Sequence, residues 1–249
     1  MSIQLQTFIT NVLAMPHYVN DEVGSGAKHD SHEDALAVEL QKIGYTKILQ
    51  EVTRQTKPSK KNPNGHIVKA KTFPKLGREA VKRAIKSDDP QQELSKLVPG
   101  MPSGTFIRQP CNSKAFPDFL VRDFSGTIIL IEAKSGNGVA PAWNDSLVKK
   151  DAIYIFSSGT YNSSTVFLGQ DVLDQVREEF LIARYQHIQD YVEETQTILA
   201  SMPDPCNRGF GFNSRPKFEQ GGGKHKTDYF KHSDRSKCES NVLAFALAQ

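Results

Sequence analysis

The stretch FPDFLVRDFSGTIILIEAKS, residues 116–135, decides the fold. Phe116 to Phe124 and Thr127 to Ser135 are two β-type runs joined by Ser125-Gly126. Two β-rich runs around a tight turn that contains glycine predict a hairpin. Downstream, Ala152 to Ser158 and Ser164 to Gly169 predict two further strands. Ile128-Ile129-Leu130-Ile131 and Ile153-Tyr154-Ile155-Phe156 are nearly continuous apolar runs, so these strands are expected to be covered on both faces. Glu132 and Lys134 interrupt that apolar context. Burying either charge costs several kcal/mol unless it is paired or holds a metal.

On a strand, residues i and i+2 project from one face, so Glu132 and Lys134 point the same way. The partner strand can set Asp118 opposite them. Two carboxylates and an ammonium then meet at one end of a buried sheet. One reading is an ion pair closing a strand end. The other is a catalytic site. Two hard oxygen ligands suit Mg²⁺, and the Ala133 backbone carbonyl supplies a candidate third. Such a metal acidifies a bound water and neutralises charge growing on phosphorus. Lys134 would orient the attacking water, deprotonate it or stabilise the developing charge, and the general-base role requires a lowered pKa. A bare Glu-x-Lys is expected about once by chance in a chain of this length. The weight lies in the context: Pro117-Asp118 opening one strand, Glu132-Ala133-Lys134 late in the next, and a hairpin between them.

Upstream, Ser31 to Tyr45 predicts a helix capped by Asp30 or Ser31. Glu33 and Asp34 then lie in its first turn, where the dipole favours anions, and Gly44 stops it. Gly77 to Asp88 predicts a second helix whose exposed side carries Arg78, Lys82, Arg83 and Lys86. Between them runs a Lys-, Pro- and Asn-rich segment with a short hairpin expected at Asn64-Gly65. Downstream of the strands, a long helix is expected from about 171 to 202. Val172, Val176, Phe180, Ile188 and Val192 form its apolar stripe, and Pro203 and Pro205 end it. The closing NVLAFALA reads as a strand or a short helix packed on the core.

The 249-residue chain has no internal repeat and no Pro/Ser-rich linker, so one α/β domain over 1–249 is the simplest account. Within it, 100–175 is the sheet core and 203–240 a basic, Gly-rich loop region. The net charge of +3 conceals an uneven distribution. Residues 1–41 carry −5, residues 42–86 carry +11, and the rest carry −3. A concentrated basic segment fits a phosphate-binding surface, and equally a solvated basic face.

No run of about 18 apolar residues exists, so no membrane span is expected. The N-terminal stretch lacks a basic n-region, which argues against a secretory signal. Cys111, Cys206 and Cys238 are odd in number and far apart, which predicts no disulfide framework and a reducing cytoplasm. Cys206, His225, His232 and Cys238 lack the paired spacing of a zinc site. His17, His29, His32 and His66 are scattered, with no nucleophilic triad order. Trp143 reads as a packing residue ahead of a base-stacking one. Asn144 would orient the Lys134 region or cap a short helix.

FPDFLV followed by ILIEAKS resembles the PD-(D/E)xK nuclease superfamily, and its type II restriction endonucleases in particular. Pro110 to Ser113 before the Pro-Asp, Pro141 to Asn144 after the lysine, and the AIYIF strand follow the order seen in many such enzymes. The resemblance covers about residues 100–175. It implies a restriction-endonuclease-like mixed central sheet flanked by helices, with basic loop insertions. Asp118 and Glu132 would bind Mg²⁺, Lys134 would serve the nucleophilic water, and Glu33 would be an extra acidic residue near the metal. The implied activity is hydrolysis of each strand of double-stranded DNA, leaving 5′-phosphates. A homodimer on palindromic sites, in a bacterial cytoplasm, with a protective methyltransferase in the host, is implied too.

Under that resemblance the basic segment grips DNA. Lys57, Lys60, Lys61, Lys69, Lys71 and Lys75 would meet phosphates. Candidate base readers are Arg54, Gln55, Asn62, Asn64, Arg108, Gln109 and Asn112, and in the tail Arg208, Asn213, Arg215, Lys224 and His225. Ser113 and Lys226 complete the expected DNA contacts. Gly221-Gly222-Gly223 reads as a loop ordering on DNA or as a plain surface loop. Two alternatives stand beside the restriction enzyme. One is a repair or junction-resolving nuclease of the same superfamily. The other is a nucleic-acid-binding protein in which Asp118, Glu132 and Lys134 are structural.

Overall fold

The computed structural model describes residues 3–17, 27–48, 73, 75–112, 115–144, 147–204, 209–214, 217–218, 220 and 227–248. Helices α1 (Ile3–Leu13) and α2 (Ala27–Lys42) lead to strand β1 (Thr46–Ile48), then to α3 (Arg78–Ile85) and α4 (Pro90–Leu97). Strands β2 (Thr105–Arg108), β3 (Phe119–Arg122) and β4 (Ile128–Gly136) follow, then the short β5 (Trp143–Asn144). Next come β6 (Ile153–Ser158), β7 (Ser163–Leu168), α5 (Gly169–Val172), α6 (Gln175–Ser201), β8 (Lys217–Phe218) and α7 (Arg235–Ala248).

Six strands form one mixed sheet in the order β1-β2-β3-β4-β6-β7, and β5 pairs with β8. The β1–β2 and β4–β6 pairs are parallel, and the other pairs in the large sheet are antiparallel. The predicted hairpin is β3–β4, with Phe119 opposite Ile131 and Arg122 opposite Ile128. Gly126 takes φ +95 in its turn, a conformation glycine adopts without a steric cost. The same turn is anchored by Asp123, which is fully buried. Its carboxylate accepts from the Tyr45 hydroxyl and from Ser125.

Alternation along the strands divides the core in two. Phe119, Val121, Ile129, Ile131, Ile153 and Ile155 face the core built with α1, α2 and α7. Leu120, Ile128, Leu130, Tyr154 and Phe156 face the second, built with α3 and α4. Both faces are covered, as the continuous apolar runs demanded. Glu132 and Lys134 keep the even parity of Ile128 and Leu130, so they project on the α3–α4 side.

Several elements differ from the sequence expectations. Helix α2 begins at Ala27, four residues before Ser31, so Glu33 lies in its second turn and is not a dipole-complementing first-turn acid. It ends near Gly44 as expected: Gly44 has φ +101, and the Tyr45 N–H donates to the Leu40 carbonyl. Helix α4 was not foreseen. Pro90 opens it, and Asp89 caps it by accepting from the Gln92 N–H at 3.0 Å. Its Gln91 side chain then grips both the N–H and the carbonyl of Ile128, each at 2.8 Å, fixing the start of β4.

The expected single helix over 171–202 is interrupted at Leu173. That residue is extended, and Asp174 caps a new helix through the Arg177 N–H. Most of the expected apolar stripe on α6 is exposed. Val176, Phe180 and Ile188 are 77%, 58% and 49% exposed, and Val192 is the buried member of the four on α6. The C-terminal apolar run is helical, as α7. The hairpin expected at Asn64-Gly65 lies outside the described residues.

Candidate active site

The site forms where β4 outruns its hairpin partner. Strand β3 starts at Phe119, opposite Ile131, whereas β4 continues to Gly136 paired only with β6 on its other edge. The next outward N–H on the open edge belongs to Ala133. Asp118, just ahead of β3, takes it: the Ala133 N–H donates to Asp118 Oδ2 at 2.8 Å. The N–H and C=O of one strand residue share an edge, so the Ala133 carbonyl opens on the Asp118 side. Asp118 is itself placed by the Gln109 N–H, which donates to its carbonyl at 2.6 Å; the Phe116–Pro117 peptide before it is cis.

Glu132 and Lys134 do share a face. The Lys134 ammonium donates to Glu132 Oε1 at 2.7 Å. The second oxygen of Glu132, Oε2, is buried and has no hydrogen-bond partner among the described residues. Buried polar atoms are satisfied in the great majority of cases, and an orphaned carboxylate oxygen is among the most expensive exceptions. Burial, and after it the negative charges of Glu132 and Glu33, push the Asp118 carboxyl up to about 8, against the lowering effect of the Ala133 N–H and Lys134. Each of the two carboxylates thus makes the other's charge less favourable.

The floor beneath the pair is aromatic. Tyr154 lies opposite Glu132 across the β4–β6 ladder and is buried. Phe116 stacks on it with centroids 6.5 Å apart, and Trp143 meets it edge-on at 5.4 Å. The Tyr154 hydroxyl accepts from the Lys149 N–H at 2.7 Å. Burial, and then the Glu132 charge, drive its pKa well above the ordinary phenol value. Trp143 is buried and donates its indole N–H to Gln220, which makes it a packing residue. Asn144 pairs with Lys217 in the short β5–β8 ladder.

Glu33 reaches the site's periphery from α2. Its Oε2 accepts from Arg108 Nε at 3.0 Å and from Gln109 Nε2 at 2.9 Å, and Arg108 also binds Asp34. Arg108 and Gln109, expected among the base readers, thus face α2 and hold an acid near Asp118. Sequence reasoning missed this supporting role, and it missed Tyr154 as the residue across from Glu132. The one signal for the latter was a tyrosine inside the second apolar run.

At this site the described residues offer a metal two carboxylates, Asp118 and Glu132, and the Ala133 carbonyl. Among the described residues no group of three or more His, Cys, Asp or Glu side chains is placed to hold an ion. Mg²⁺ fits such a donor set, because it keeps several waters and takes the remaining oxygens from substrate phosphates. The orphaned Glu132 oxygen and the protonation-prone Asp118 fit it as well.

Comparison with known proteins finds no matching family model, no similar curated protein and no similar solved structure. Function rests on the site and its surroundings.

Those surroundings are cationic on the α3 side. Arg78, Arg83 and Lys86 are exposed, while Val81 and Ala84 bury the opposite face of α3. Burial lowers the Lys149 pKa, and the nearby charges of Lys86, Lys82 and Arg78 lower it further. Neither Lys149 nor its closeness to α3 was foreseen. Asn112 forms a bridge with Ala115 and is exposed, as are Lys75 and Asn213. Lys57, Lys60, Lys61, Lys69 and Lys71, with Arg54, Gln55, Asn62 and Asn64, lie outside the described residues. So do Ser113, Arg208, Arg215, Lys224, His225 and Lys226. Among the described residues, no helix is long and apolar enough to cross a membrane.

Proposed function

We propose that this protein is a Mg²⁺-dependent, site-specific endonuclease of double-stranded DNA, of the PD-(D/E)xK type and with a restriction-endonuclease-like sheet. The observation that carries the reading is the buried Glu132 oxygen left without a partner, beside an Asp118 whose charge the site disfavours. An ion pair that merely closed a strand end would satisfy both oxygens. Here Lys134 satisfies one, and the other has no hydrogen-bond partner among the described residues. The order of an antiparallel hairpin and then a parallel strand, with all three residues at one end, supports the same reading.

Asp118, Glu132 and the Ala133 carbonyl would hold the metal. Bound there, Mg²⁺ supplies an acidified water and charge neutralisation at the scissile phosphate. Lys134, held on Glu132, positions the attacking water and meets charge on the leaving phosphate oxygens. Tyr154, Phe116 and Trp143 keep the carboxylates in a low-dielectric setting, which strengthens these interactions. The cationic face of α3 and the basic segment 42–86 would hold the DNA backbone. A homodimer would present two such sites, one for each strand.

The test is incubation of the purified protein with phage DNA in Mg²⁺ and in EDTA. Discrete fragments in Mg²⁺ alone are expected. Cutting confined to branched DNA would indicate a junction-resolving nuclease instead. DNA binding without cutting would leave a structural role for the three residues.

A further inference from the structure

Helix α6 carries an outer seam of exposed side chains, of which Tyr191 meets the Phe212 ring edge-on at 6.3 Å. Phe180, Arg184, His187, Tyr191, Glu194 and Ile198 are spaced four, three, four, three and four residues apart, and all six are exposed. That is a heptad spacing, which sets the side chains in one line along a helix. The face packed on the body lies about a third of a turn away. It carries Leu181, Tyr185, Val192 and Leu199, which are partly or fully buried, and the Tyr185 ring meets Phe218. Single exposed apolar residues need no explanation, but three large ones on one line, Phe180, Tyr191 and Ile198, with charged residues set between them, point to an interface.

The chemistry of the seam identifies the partner. About Gln189 as centre, Phe180 and Ile198 are equidistant, and so are Arg184 and Glu194, and His187 and Tyr191. Val176 and Met202, 77% and 55% exposed, extend the same relation at the two ends. An antiparallel copy of this helix would therefore set apolar against apolar and cation against anion along the seam. Arg184 already lies along it, its guanidinium 5.1 Å from the centre of the Phe180 ring. At 27 residues α6 is roughly 40 Å long, enough for three heptads of contact.

We infer that α6 is a dimerisation arm: two copies of this chain pair antiparallel through this seam, about a two-fold axis near Gln189. Phe180 packs on Ile198 of the second copy, and Arg184 pairs with its Glu194, each contact occurring twice. A two-fold interface requires this self-complementarity, and an unrelated partner would not. The inference stands apart from the nuclease reading, because it needs neither DNA nor the carboxylates.

The test is sedimentation equilibrium of the full chain without DNA or Mg²⁺. The wild type should be a dimer. Arg184→Glu and Glu194→Arg should each weaken dimerisation by ~100-fold or more, since each sets like charges together twice per dimer. The double variant Arg184→Glu/Glu194→Arg should restore it. Both positions are exposed, so circular dichroism should show an unchanged fold. A monomeric wild type, a dimer indifferent to the single changes, or a double variant that stays monomeric would overturn the inference. Failure of DNA cleavage alone would leave it standing and count only against the nuclease reading.

Discussion

At the scale of residues, the three charged groups differ in what they lack. Lys134 and one Glu132 oxygen satisfy each other, Asp118 holds the Ala133 N–H, and the second Glu132 oxygen has no partner among the described residues. Replacing Asp118, Glu132 or Lys134 by Ala should reduce Mg²⁺-dependent cleavage at least about 10²-fold while sequence-specific DNA binding survives. Gel-shift and cleavage assays on one DNA read both, and near-normal cutting by any of the three would remove it from the site. The Asp118 shift carries a stability consequence whose sign is definite. An unfolded chain has this carboxyl near 4, and the folded protein without metal has it at about 8. Between those values the folded state binds the extra proton, so its stability falls as pH rises from about 4 to about 8. Thermal unfolding in EDTA should show that fall, and Asp118→Asn should flatten it. The triplet was legible in the sequence because charge in an apolar strand is conspicuous. The hold on Glu33 by Arg108 and Gln109 was not, because it joins residues 75 and 76 positions apart that no local pattern links.

Among the elements, those specified locally were legible and those specified by partners were not. The β3–β4 hairpin announces itself through two β-rich runs and a glycine turn. Strands β1 and β2 span three and four residues, too short for periodicity, and exist because β2 pairs with β3 and β1 pairs with β2. The α6 stripe shows the other limit: spacing predicts which residues share a face but not what covers it. The junction of β7 with α5 depends on a close approach that only glycine allows. A Cβ on Gly169 would lie 2.0 Å from the Lys149 carbonyl oxygen, which is backbone and cannot rotate aside. The Lys149 N–H also donates to Tyr154 beneath the carboxylates. Gly169→Ala should therefore cost ~1–3 kcal/mol, read as a lower urea midpoint with an unchanged slope.

For the whole molecule, a net charge of +3 conceals a basic segment of +11 beside acidic flanks. Within that segment α3 turns Arg78, Arg83 and Lys86 outward, near the half-buried Lys149, whose charge Lys86, Lys82 and Arg78 oppose and Glu178 favours. An anion there relieves repulsion, so DNA affinity should fall steeply with salt. Changing Arg78, Lys82 and Lys86 to Ala should lessen the slope of log affinity against log salt by ~0.9 for each phosphate no longer neutralised, with sequence preference unchanged. Dimerisation and cutting meet in a single further experiment. If two sites act on two strands, a dimer with one dead site cuts one strand only. Wild-type protein exchanged with a fivefold excess of Glu132→Ala subunits should convert supercoiled plasmid mainly to nicked circles, where wild type alone gives linear DNA. The nicked product depends on subunits meeting through α6. The same excess of a Glu132→Ala protein that also carries Arg184→Glu and Glu194→Arg should leave the wild-type product linear, because against a wild-type subunit it sets like charges at both contacts and so pairs with itself instead. Nicking by both mixtures would place the pairing surface elsewhere, and nicking by neither would mean that one subunit cuts both strands in turn.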